Sequence, residues 1–121
     1  MINIQDPDDF KTITDMTQAY FTGLHYGDTE KLRALFHKDT VLKAPTIRRT
    51  REEWLTLVAS RPIPHTEGHP YAYKILSIDV FGKQAMVKAA CPLLGNNFLD
   101  FLGSLKENDT WQFVSKMYAE T

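Results

Sequence analysis

Asp100 stands in Phe98-Leu99-Asp100-Phe101-Leu102, an acid in the middle of an apolar strand pattern. Burial disfavours the charged form of a carboxyl, so this one is expected to hold its proton and donate a hydrogen bond. A neutral acid can serve an oxyanion, and lone buried acids cluster at sites. The plainer alternative is a carboxyl bonded to backbone or paired with a lysine. With Gly95-Asn96 as a two-residue turn, Leu93 faces Phe98 and Cys91 faces Asp100. With Asn108-Asp109 as the next turn, Asp100 faces Met117 and Leu102 faces Ser115. Asp100 then shares one face with Cys91, Phe98, Leu102 and Met117. A register one residue off would instead pair Lys116 with Asp100 in the pocket.

Tyr20 is the second candidate. It lies on the inward stripe of the first helix, and a buried hydroxyl needs a partner. A core aromatic with a satisfied hydroxyl is the plainer reading. His37 sits between helix and strand, where it can pin the turn or titrate near neutrality. His25, near the end of the first helix, reads as a surface residue suited to the helix dipole. His65-Thr66-Glu67-Gly68-His69 has a metal-like spacing, but Pro64, Gly68 and Pro70 forbid a regular helix, so no metal site is assigned. That stretch reads as a loop over the pocket mouth. Cys91 is a small buried residue with nothing nearby to lower its pKa, and Pro92 implies a bulge or an edge. Arg48-Arg49-Thr50-Arg51, beside Glu52 and Glu53, reads as a solvated face, with an anionic-ligand site as the minor alternative.

The elements that must position these residues follow from capping and period. Asp6-Pro7-Asp8-Asp9 starts a helix: Asp6 caps, Pro7 suits the first position, and the acids favour the positive dipole end. Phe10, Ile13, Thr17, Tyr20 and Leu24 recur at helical spacing, with Met16 and Phe21 beside them. Gly27 ends this helix and Asp28 caps a second, whose face is Leu32, Leu35 and Phe36. A strand follows at Val41 to Ala44. A third helix is expected from about Arg51 to Ser60, turning Trp54, Leu57 and Val58 inward. From Tyr71 the period becomes two, with strands at Tyr71–Val80, Gln84–Leu94, Phe98–Lys106 and Trp111–Tyr118. Short turns join them, so the sheet is expected to be an antiparallel meander.

Composition bounds the rest. The chain has 121 residues, 43% hydrophobic and 24% charged, the mixture of one globular domain over 1–121, and helices followed by a meander make it α+β. A net charge of −1 argues against nucleic acid as a partner. One cysteine fits a reducing compartment. Residues Met1 to Asp6 show no secretory pattern, and no apolar run approaches a membrane span. A cytoplasmic protein with no cofactor is expected.

The run Tyr20-Phe21-Thr22-Gly23-Leu24-His25-Tyr26-Gly27-Asp28, followed by Leu32, Leu35, Phe36 and the C-terminal meander, resembles the nuclear transport factor 2-like superfamily. This superfamily includes ketosteroid isomerase and the SnoaL-like polyketide cyclases. Leu35-Phe36-His37-Lys38-Asp39, Phe98 to Leu102 and Trp111 to Lys116 look closest to its uncharacterised putative lumazine-binding branch. The resemblance implies three N-terminal helices packed in the concave face of a curved antiparallel sheet, a cone-shaped, cystatin-like roll. Carried over from the isomerase, Tyr20 and Asp100 take the places of the oxyanion-hole pair, a site that is itself a standard example of a carboxyl kept neutral. The isomerase's base is an acid before a proline on the first strand, and Ala44 stands there before Pro45, so a steroid-type isomerase is not implied.

These readings converge on a largely apolar pocket lined by Trp54, Phe98, Leu102, Ser115, Met117 and His37, with Asp100 and Tyr20 as the polar pair. Binding of a small hydrophobic or aromatic molecule is the first expectation. A cofactor-free lyase or isomerase using Asp100 and Tyr20 to polarise a carbonyl is the alternative. A protein-interaction module using the sheet face is a third. Apolar residues expected on the outer sheet face (Leu99, Phe101, Val114 and Tyr118) suggest a homodimer.

Overall fold

Asp6 starts the first helix because its carboxylate accepts from the backbone N–H groups of Asp8 and Asp9, with Pro7 in the first turn. The structure, a computed structural model, describes residues 6–120; residues 1–5, part of the stretch read for a secretory leader, and Thr121 lie outside it. Helix α1 spans Pro7–Tyr26 and buries Ile13, Met16, Thr17, Tyr20, Phe21 and Leu24. Phe10, expected on that stripe, is largely exposed. Gly27 closes α1 in the left-handed region at φ 61°.

Asp28 caps α2, Thr29–Leu35, accepting from the Lys31 N–H. A Cβ on Gly23 would come within 2.7 Å of Leu32, so only glycine allows α2 to lie this close to α1. Phe36 leaves α2 in extended geometry and begins β1, Phe36–Ala44, five residues earlier than the pattern at Val41 indicated. A hairpin then adds β2, Ile47–Thr50, a strand absent from the sequence expectation. Thr50 and Glu53 form a reciprocal capping box that opens α3, Arg51–Ser60. Helix α3 buries Trp54, Leu55 and Val58, while Leu57 stays partly exposed.

The remaining strands are β3 (Lys74–Phe81), β4 (Gln84–Leu93), β5 (Asn96–Glu107) and β6 (Thr110–Glu120). They complete one curved, open sheet in the order β2-β1-β6-β5-β4-β3. The sheet is mixed rather than wholly antiparallel, because β1 runs parallel to β6. The three helices pack on this sheet, and the core joins Tyr20 and Phe21 of α1 to Phe36, Leu42, Val87, Leu102 and Phe113 of the strands.

Two registers differ from expectation. Strand β4 turns into β5 through Leu94-Gly95, so Cys91 opposes Phe98 and Ala89 opposes Asp100. That is a two-residue slide, which preserves the face of every side chain. No bulge occurs at Pro92; it lies beyond the last residue of β4 paired with β3, where a missing N–H costs nothing. The β5–β6 pairing does carry a bulge. Ser104 opposes Phe113, but Gly103 opposes Ser115, leaving Val114 as the extra residue. This one-residue slip turns Lys116 and Tyr118 inward and Ser115 and Met117 outward.

Candidate functional site

The bulge decides the chemistry of the inner face. Leu42 of β1 lies between Arg49 of β2 and Lys116 of β6 in cross-strand order, and Lys116 opposes Leu102 of β5. One row further along, Tyr118 opposes Asp100. Asp100 is 2% exposed. Its Oδ2 accepts from the Tyr20 hydroxyl at 2.6 Å and lies 3.9 Å from Lys116 Nζ. The Lys116 ammonium also stands 4.7 Å from the Trp54 ring centroid, 5.3 Å from Tyr20 and 5.5 Å from Tyr118. A cation over aromatic faces recovers part of what burial takes from it.

These contacts set the proton affinities. Burial first, then the Asp100 charge, holds the Tyr20 hydroxyl well above its ordinary pKa, so it remains a donor. Burial lowers the Lys116 pKa despite the opposing pull of Asp100. Burial likewise raises the Cys91 thiol, with Asp100 adding to it, so no thiolate nucleophile forms there.

A cavity of about 220 Å³ opens beside this cluster. Its apolar wall is built from Leu24, Leu42, Trp54, Leu57, Leu93 and Phe98. Its polar groups are Asp100, Lys116, Tyr118, Arg49 and Arg61, with Cys91 between them. Arg49 donates to the Tyr118 hydroxyl at 3.0 Å. Arg61 follows α3, and its backbone N–H closes that helix onto the Leu57 carbonyl.

The expected residues divide three ways. Trp54, Phe98 and Asp100 line the cavity. Tyr20 reaches it only through its bond to Asp100; its ring is packed among Phe21, Phe36, Trp54 and Phe113. The Tyr20 hydroxyl is the donor in that bond, so it is engaged with Asp100 Oδ2 rather than presented to the cavity. Leu102 is fully buried in the core and does not line the cavity. Ser115 and Met117 are corrected to the outer face by the bulge, and Met117 is 53% exposed. His37 is corrected as well: it borders a shallow cleft with Thr110 and Gln112, its Nδ1 2.7 Å from Asp39 Oδ1.

Several residues depart from their sequence readings. His25 is buried rather than superficial, with Nδ1 3.0 Å from the Tyr73 hydroxyl. The 61–73 loop packs partly on the end of α1, the His65 N–H donating to the His25 carbonyl, while Arg61 reaches the cavity. Tyr118 faces inward, not outward. Arg49, read within the Arg48–Arg51 run chiefly as a solvated residue, lines the cavity, and alternation along β2 could have separated it from Arg48; Arg61 was missed, and nothing in the sequence marks it. No group of three or more His, Cys, Asp or Glu among the described residues could hold a metal ion. Among them, no helix is long and apolar enough to cross a membrane.

Three helices on a curved, open, mostly antiparallel sheet are the fold this chain shares with solved proteins described as NTF2-like. Within it, the chain belongs to the family described as Putative lumazine-binding, whose model matches residues 8–119. An NTF2-like protein of unknown function from Shewanella baltica superposes with a TM-score of 0.86 at 20% identity, covering 98% of each chain. Another from Silicibacter pomeroyi gives 0.79 at 20% identity, over 94% of this chain and 97% of that one. A ketosteroid isomerase-like protein from Erwinia carotovora atroseptica gives 0.73 at 18% identity, over 95% and 98%. At such identities the likeness is one of fold. No curated protein matches the chain.

Proposed function

We propose that this chain binds a small planar, largely apolar molecule in the cavity between α3 and the sheet. The observation that carries the reading is the cavity itself: apolar walls from two helices and three strands around a few convergent polar groups. Its volume of about 220 Å³ is below that of drug-sized sites, which suits a ligand of one or two rings. Membership of a family named for lumazine binding supports the same kind of ligand.

Trp54 lines the cavity and Trp111 lies elsewhere, its indole N–H bonded to Asp9, so a Trp111→Phe background leaves one reporter. Titration with lumazine and a panel of one- and two-ring heterocycles should quench Trp54 saturably. Ligand at 100 times Kd should stabilise the fold by about 2.7 kcal/mol. A panel without any quenching or thermal shift would remove the reading.

One observation favours turnover as a second reading. Lys116 is an amine with a lowered pKa beside Asp100, the type of group that can act as a base. Loss of a ligand's conversion in Asp100→Asn, with the fold intact, would move the assignment to a cofactor-free lyase or isomerase. We also infer a homodimer through the outer sheet face. Met86, Phe101, Met117 and Val41 lie there around the small residues Gly103 and Ser115, and Met86 and Met117 are about half exposed.

A further inference from the structure

Three cations and one acid border the cavity: Arg49, Arg61 and Lys116 against Asp100. Each is engaged differently. Arg49 donates to Tyr118, and Lys116 is shared between Asp100 and the Trp54 ring. Asp100 is occupied by Tyr20 as well as Lys116. Arg61 alone has a buried nitrogen, Nη2, with no hydrogen-bond partner among the described residues. Burial lowers its pKa more than the nearby Tyr20, Tyr73 and Asp100 restore it. A desolvated guanidinium nitrogen without an acceptor is unfavourable, and folded proteins seldom leave one so.

We propose that the ligand is an anion, a one- or two-ring carboxylate whose head group is held by Arg61 with Lys116 and Arg49 near it. The inference rests on the cavity being a binding site and adds the charge of what fills it. The planar fork of arginine takes both oxygens of a carboxylate, and one negative charge offsets the excess of cations over acids on the cavity lining. A neutral ligand would exclude water from Arg61 without replacing its bonds. Trp54, Leu42 and Phe98 leave apolar wall for the ring body. The backbone of Arg61, not its guanidinium, terminates α3.

The test is calorimetric titration of the full chain with isosteric pairs, benzoate against benzamide and 2-naphthoate against 2-naphthamide. The carboxylates should bind about tenfold more tightly than the amides, the scale of one charge-assisted hydrogen bond. In Arg61→Met that ratio should fall toward one while amide affinity is kept. Ligand-free Arg61→Met should also melt above the wild type, since it removes a buried unpaired nitrogen. Amides binding as well as carboxylates would overturn the anion and leave the pocket standing. Failure of both series would overturn both. A ligand-free Arg61→Met that melts lower would show Arg61 to be structural and end the inference.

Discussion

At Asp100 and Lys116 two buried charges meet with unequal consequences. Their 3.9 Å separation is long, and burial outweighs attraction at the lysine. The pair therefore contributes little net stability, yet each partner shields the fold from the other. Asp100→Asn keeps an acceptor for Tyr20 but strands a buried ammonium, and it should cost roughly 3–5 kcal/mol in urea unfolding. Lys116→Met leaves the Asp100 carboxylate with the Tyr20 hydroxyl as donor, so it should cost less than Asp100→Asn, and the double variant should recover most of the loss. A Lys116→Met variant less stable than Asp100→Asn would refute this. Asp100 was legible in sequence because an acid interrupts an apolar strand. The inward turn of Lys116 was legible only as the alternative of a register one residue off: turn spacing fixes a register only until a bulge occurs, and Val114 carries no bulge signature. Arg61 was hidden for another reason. It stands before Pro62, where the chain reads only as a helix stop.

The elements themselves were largely legible, because caps and period are local. Asp6, Gly27, Asp28 and the Thr50–Glu53 box all act where their types predict. What the helix end packs against is not local, so His25 was misplaced on the surface. It lies in a cluster with His65, Tyr26, Tyr71 and Tyr73, which ties the 61–73 loop to α1. Burial, then the charges of His65 and His69, lowers its pKa below 6.5. Below that value the unfolded chain takes the proton more readily than the folded one. Stability present above pH 6.5 is thus lost as pH falls through the folded-state pKa. The lowered carboxylates act in a lower window, starting from ordinary values of 3.8 for Asp9 and 4.5 for Glu52 and Glu53. Melting temperature should therefore fall between pH 6.5 and 5, and the slope should flatten in His25→Gln. An unchanged slope would assign that acid limb to other groups.

At the scale of the molecule, the helix-then-meander order indicated an α+β roll, while the parallel contact of β1 with β6 has no local signal. It joins strands some seventy residues apart, such as Leu42 with Lys116. That contact builds both faces at once: Leu42 and Lys116 inside, Lys43 and Met117 outside. The proposed dimer would cover Met117, Phe101 and Met86 on the outer face, which are separated from the cavity by the sheet. A charge there should break association without touching the pocket. Met117→Asp should weaken the dimer at least about tenfold in sedimentation equilibrium, since a carboxylate buried without a partner costs more than the 1.4 kcal/mol that factor represents. Trp54 should still report ligand with unchanged affinity. A wild type that sediments as a monomer would refute the interface. A Met117→Asp dimer with lost ligand binding would mean that the two faces are coupled through the sheet.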